Sequence, residues 1–179
     1  SLHALLDGVR RRFFTTSLTA DAIDPWLALI LPVLPGTDYT LGELLRSREE
    51  TDPKTIAFRV LGEDAAELTV AEVARRTRAI ARGILALVDG EADAKVAILS
   101  ENSLEAALCD LACLTNGILD FPLPANAVAE QIVYMLKHSG ARVLLASDEE
   151  QVAKVLPSLP ALPELREIVV FSRATGERN

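Results

Sequence analysis

Groups that bind phosphate or attack a carbonyl are scarce in this 179-residue chain: it holds no G-x-x-x-x-G-K-[ST] loop, no G-x-G-x-x-G turn, no H-E-x-x-H and no G-x-S-x-G. Its four lysines, Lys54, Lys95, Lys137 and Lys154, stand in no glycine-rich context. Histidine is limited to His3 and His138, far from each other and from the two cysteines, so no zinc site is readable. Cys109 and Cys113 are four apart in a helical pattern, where disulfide geometry is rarely met; two buried thiols in a reducing compartment are expected. Positive charge is also short. With 18 basic against 26 acidic residues the net charge is −8, which repels phosphate backbones and excludes nucleic acid as the natural partner.

Long apolar runs are missing as well. Trp26 to Leu34, interrupted by Pro32, is roughly half the length of a membrane-spanning helix, and Asp21 and Asp24 separate it from Arg10, Arg11 and Arg12, against a secretory signal. A cytoplasmic protein is expected. The run reads as an arm packed on the body of the protein, or as a surface for a membrane or a partner. Because the first residue is Ser1 and the only methionine is Met135, a processed or engineered start is expected rather than an initiator. Half of the residues are hydrophobic, enough for a core without metal or disulfide.

Periodicity supplies the organisation. Tyr39 to Glu50 reads as a short helix and Thr55 to Val60 as a strand, with a hairpin turn through Leu61-Gly62-Glu63-Asp64. Thr69-Val70-Ala71-Glu72 has capping-box form and should start a long helix whose apolar stripe is Val73, Ala74, Thr77, Ile80, Ala81, Ile84 and Leu85. Arg75, Arg76, Arg78 and Arg82 lie mostly opposite, as a solvated face with Glu72 four before Arg76, or as an anion site. Beyond them, strands starting near residues 95, 118, 142 and 167 alternate with helices over Ser103–Thr115, Val128–His138 and Glu149–Leu156. Such alternation predicts an α/β fold with a mostly parallel sheet flanked by helices. Pro122 is expected to stop the second of these strands at Phe121, and Gly117 and Gly140 to stop helices. The helix after Asn102 is apolar nearly all round, which predicts burial on both sides under a cover that this chain can lack.

The first corner of the regular region, Ser100-Glu101-Asn102, allows two readings. Asn102 with Glu105 can cap the next helix; alternatively, a corner at the C-terminal edge of a parallel sheet borders a ligand crevice, making Ser100, Glu101 and Asn102 substrate-crevice candidates.

Six segments then fall in register. Leu68-Thr69-Val70-Ala71-Glu72-Val73-Ala74, Val96-Ala97-Ile98-Leu99-Ser100-Glu101-Asn102-Ser103, Pro122-Leu123-Pro124, Glu130-Gln131-Ile132-Val133-Tyr134-Met135-Leu136, Ser139-Gly140-Ala141-Arg142-Val143 and Pro163-Glu164-Leu165-Arg166-Glu167-Ile168-Val169-Val170 together resemble the N-terminal part of an AMP-forming acyl-CoA synthetase. Within that adenylate-forming superfamily, the Gln131 to Leu136 run and Pro163-Glu164-Leu165-Arg166 look most like long-chain fatty acyl-CoA ligases. The chain departs from its relatives at Leu104-Glu105-Ala106, where Pro-Glu-Trp is common, and at Pro124-Ala125-Asn126, where a Tyr-Pro-Thr-like run is common.

The resemblance implies an N-terminal arm over 1–38 and, over 39–179, the first α/β subdomain of the adenylate-forming fold, ending before the family's ATP-phosphate loop. It further implies a parent ligase that uses ATP and Mg to turn a fatty acid into acyl-AMP and then passes the acyl group to coenzyme A. No catalytic, cofactor-binding or metal residue is assigned to this chain, which by itself is expected to be inactive. The implied partners are the remainder of the parent polypeptide and, in the parent, the fatty acid; the apolar arm leaves open a homodimer and a peripheral membrane contact. The other readings are a fatty acyl-AMP ligase or another adenylation domain, or a non-catalytic flavodoxin-like binding or oligomerisation module.

Overall fold

The Thr69 capping box forms as its residues dictate. The Glu72 N–H donates to Thr69 Oγ1 (3.3 Å) while the Glu72 carboxylate accepts from the Thr69 N–H and hydroxyl (both 2.8 Å). Glu72 is thereby committed to the cap, and the hydrogen bonds to Thr69, with Arg76 only a lesser influence, hold its carboxyl below the usual range. The computed structural model describes residues 40–61, 65–91 and 93–171. The expected arm over 1–38, with Arg10, Arg11, Arg12 and the Trp26 to Leu34 run, lies outside the described residues, as does most of the Leu61 to Asp64 turn.

The elements are α1 (Leu41–Thr51), β1 (Ile56–Val60), β2 (Ala66–Thr69), α2 (Val70–Leu87), β3 (Lys95–Leu99), α3 (Leu104–Asn116), β4 (Leu119–Leu123), α4 (Ala129–Ser139), β5 (Val143–Ala146), α5 (Glu149–Ala153), a 3-10 turn (Leu156–Ala161) and β6 (Glu167–Val170). β1 and β2 pair antiparallel, as the hairpin reading expects. The remaining strands form one parallel sheet of order β4-β3-β5-β6.

Both faces of that sheet are covered, which is why β3 and β5 read as continuous apolar runs. Side chains alternate across a strand, so Val96, Ile98, Val143 and Leu145 pack with Ile84 of α2 and Cys109, Ala112 and Cys113 of α3. Ala97, Leu99 and Leu144 point to the other face and meet Ile132 and Leu136 of α4 together with Val155 and Leu162. Left-handed Gly117 (φ 70°) and Gly140 (φ 68°) end α3 and α4 at the expected positions, since a side chain there would meet its own carbonyl.

Several expectations are corrected. β4 continues through Pro122 to Leu123 because it is an edge strand, where a residue without an N–H costs the ladder little. The helix expected over Glu149–Leu156 ends at Ala153 and gives way to a 3-10 turn, since Pro157 in α geometry would drive its ring into the Ala153 carbonyl. Asn102 is not the cap of α3: Ser103 is, its Oγ accepting from the Ala106 N–H at 3.1 Å. The cover for α3 is supplied within the described residues. While Cys109 and Cys113 face the sheet, Leu104, Leu108 and Leu111 pack under Val73 and Ile80 of α2, Leu45 of α1 and the Phe58–Leu68 hairpin. Of the arginine face, Arg78 crosses to α1 and donates to both Glu49 carboxylate oxygens at 2.6 and 2.8 Å.

Candidate functional site

The strand order creates one special point. From β3 the chain leaves through α3 on one face to β4, and from β5 it leaves through α5 and the 3-10 turn on the other face to β6; β3 and β5 are neighbours. Diverging connections leave a crevice above the carboxyl ends of those two strands, the place where open α/β sheets hold ligands. A cavity of about 450 Å³ lies there. Ser103 and Glu105 line it from the start of α3, Ser147, Asp148 and Glu149 from the corner after β5, and Val170 and Phe171 from the end of β6.

Each polar member has a local reason to be where it is. Ser103 caps α3, and Asp148 caps α5 by accepting from the Gln151 N–H at 2.9 Å. The Ser147 hydroxyl donates to the second Asp148 oxygen at 2.7 Å. That hydroxyl first, then the Gln151 amide, holds the Asp148 carboxyl below its ordinary range, so it is ionised at neutral pH. Behind this corner the Lys154 ammonium donates to the Ala125 carbonyl (2.7 Å) and Gln151 Oε1 (3.0 Å), tying α5 to the loop after β4.

The crevice therefore carries three carboxylates, Glu105, Asp148 and Glu149, and no lysine or arginine among its described lining residues. These described residues do not by themselves fit a nucleoside triphosphate, whose negative oxygens need convergent amides and a cation. A wider, shallow depression of 730 Å³ runs along α4 over Pro124, Ala127 and Met135, with Tyr134 and Glu130 beside it. It is mostly apolar and offers no nucleophile or general base pair.

Of the residues singled out by sequence, Ser100 is half-buried, its Oγ donating to the Glu101 carbonyl (2.7 Å) and lying 3.4 Å from Ser103 Oγ; Glu101 and Asn102 are exposed at the corner. The lining itself takes Ser103 and Glu105. The second corner, Ser147-Asp148-Glu149, went unread, although Asp148 with Gln151 three residues later repeats the capping signal seen at Thr69 and Glu72. Cys109 and Cys113 are buried free thiols on the sheet face of α3. Burial, ahead of nearby carboxylates, pushes them up to about 11 and about 12, far from nucleophile chemistry.

The model of a family described as AMP-binding enzyme matches residues 45–179. The long-chain-fatty-acid–CoA ligase FadD15 of Mycobacterium bovis is 29% identical over 139 residues, covering 77% of this chain and 23% of that ligase. Phosphinothricin tripeptide synthetase PhsB of Streptomyces viridochromogenes is 36% identical over 117 residues, 65% of this chain and 9% of the synthetase. Among solved structures, one described as a long-chain-fatty-acid CoA ligase from Rhodopseudomonas palustris superposes with TM-score 0.68 at 25% identity, covering 78% of this chain and 34% of that one. The chain thus spans less than a quarter of the length of these curated relatives.

Proposed function

Since the chain belongs to the AMP-binding enzyme family, we propose that it forms the first α/β subdomain of a longer AMP-forming ligase and carries scaffold rather than chemistry. In this reading residues 39–179 are that subdomain and 1–38 an apolar arm. The longer protein joins a fatty acid to ATP, releasing pyrophosphate and leaving acyl-AMP, and the thiol of coenzyme A then displaces AMP. ATP, Mg and coenzyme A are held by residues outside this chain. The observation that supports this assignment of roles is the switch-point crevice itself: its described lining residues include three carboxylates and no lysine or arginine, in a member of the AMP-binding enzyme family. Ser100, whose Oγ is 3.4 Å from that of the lining Ser103, would together with Glu101 and Asn102 contribute to the wall on the acyl side in the longer enzyme.

The identity to FadD15 and the superposition on a fatty-acid CoA ligase support a fatty acid as substrate. A second reading draws on the 36% identity to a tripeptide synthetase: an adenylation domain whose acceptor is a carrier-protein thiol. A fatty acyl-AMP ligase is its fatty-acid counterpart. We place the protein in the cytoplasm; among the described residues no helix is long and apolar enough to cross a membrane. Contact with a membrane or a second copy would fall to the Trp26 to Leu34 run, since α3 is already covered by α1 and α2.

Pyrophosphate release tests the reading. The longer protein, given ATP, Mg²⁺ and separate panels of fatty acids and amino acids, should release pyrophosphate with fatty acids and consume coenzyme A. The 179-residue chain should stay at blank in the same assay. Turnover by the chain alone would overturn the scaffold role, and release with amino acids only would select the second reading.

A further inference from the structure

One buried side-chain polar atom among the described residues has no hydrogen-bond partner: Oδ2 of Asp120, near the start of β4. Asp120 lies in register with Val96 and so on the α3 face of the sheet, where the Asp110 carboxyl of α3 is within hydrogen-bonding reach. We propose that Asp110 and Asp120 share a single proton, forming a clasp between α3 and the edge strand β4 that opens when the proton is lost. Two carboxylates in contact repel, whereas a carboxyl and a carboxylate form an O–H···O bond. The proton therefore decides whether the α3–β4 joint is attractive.

The surroundings favour keeping it. Burial is the largest influence on Asp120, followed by the hydrogen bond and charge of Asp110, and together they raise it from 3.8 to about 7. From α3 the other titratable groups facing it are the Cys109 and Cys113 thiols, which are neutral. From β3 the in-register neighbour is Val96; Lys95 next to it donates to the Ser139 carbonyl on the α4 side. On α2, in the same layer, Arg78 is held by Glu49 of α1, and no basic group of α1, α2 or β3 contributes to the shift of Asp120. A raised acid contributes stability that is complete below its unfolded value near 3.8 and is lost as pH climbs through about 7. The joint should thus be tight at pH 5 and loose at pH 8. β4, held on one side only as the edge strand, is the element released.

Carboxyl-carbon NMR of the 179-residue chain, with amide exchange at pH 5 and pH 8, tests the clasp. Asp120 should titrate near pH 7, and Asp110→Asn should lower its midpoint by at least about one unit, a tenfold change in proton affinity. Protection of β4 amides, corrected for intrinsic exchange, should fall about tenfold more than that of β5 amides between the two pH values in the unmodified chain. Asp120→Asn, which keeps one donor in place of the proton, should abolish that difference. A midpoint near 4, or one that Asp110→Asn leaves unmoved, overturns the proposal. Should either variant fail to fold, equal loss of β4 and β5 protection in the unmodified chain overturns it as well.

Discussion

The two ends of the parallel strands are built differently. At their amino ends, Arg142 before β5 pairs with Glu91 (3.3 Å) and with Glu164, and Arg166 before β6 reaches the same Glu91 at 3.2 Å. Charges of both signs there staple the loops entering β3, β5 and β6 to one another. At the carboxyl ends, Ser103 and Asp148 satisfy helix amides, and Glu105, Asp148 and Glu149 line a crevice that has no lysine or arginine among its described lining residues. Among the described residues, the amino end neutralises itself with ion pairs, whereas the three carboxylates of the carboxyl end form none.

The largest effect expected on this contrast comes from beneath the open end. Leu99, last in β3 and fully buried, should cost about 3 kcal/mol when replaced by alanine, because its atoms leave a cavity against Leu144 and Ile132. A urea melt reads this directly. A loss below about 1 kcal/mol would mean that the crevice floor is already loose.

Thiol reactivity sharpens the comparison along α3. With Cys109 at about 11 and Cys113 at about 12, labelling of the folded chain at pH 8 should be about 100-fold slower or more than in urea, with Cys109 the faster of the two. Fast labelling of Cys109 alone would show that the crevice end of α3 opens while its far end stays closed.

Smaller still is the capping term. Ser103→Ala should cost about 1 kcal/mol, and Asn102→Ala, exposed and not the cap, close to nothing. Equal losses would return the cap to Asn102. At the closed end, Arg142→Ala should cost no more than the Ser103 cap, about 1 kcal/mol or less, shrinking as salt is added, because its partners Glu91 and Glu164 are substantially exposed. A larger, salt-independent loss would show that the ion network is a keystone of the fold rather than a trim on its edge.

Local signals settled the elements of the sheet and the parallel class. Alternating apolar strands and helical stripes, closed by Gly117 and Gly140 and opened at Thr69, are written in spacings a few residues long, and backbone sterics and capping chemistry act over the same range. Their linear order also carried the family resemblance, which the match over residues 45–179 bears out. Only the tertiary structure decided that β5 lies beside β3, that the crevice stands between their carboxyl ends, and that Glu105 and Asp148 share it. The same holds for α1 and α2 covering α3, and for Asp110 meeting Asp120. Strand order and the juxtaposition of charges depend on which faces the chain buries after it has turned back on itself, and that choice is made by packing between residues distant in sequence, which no local period records.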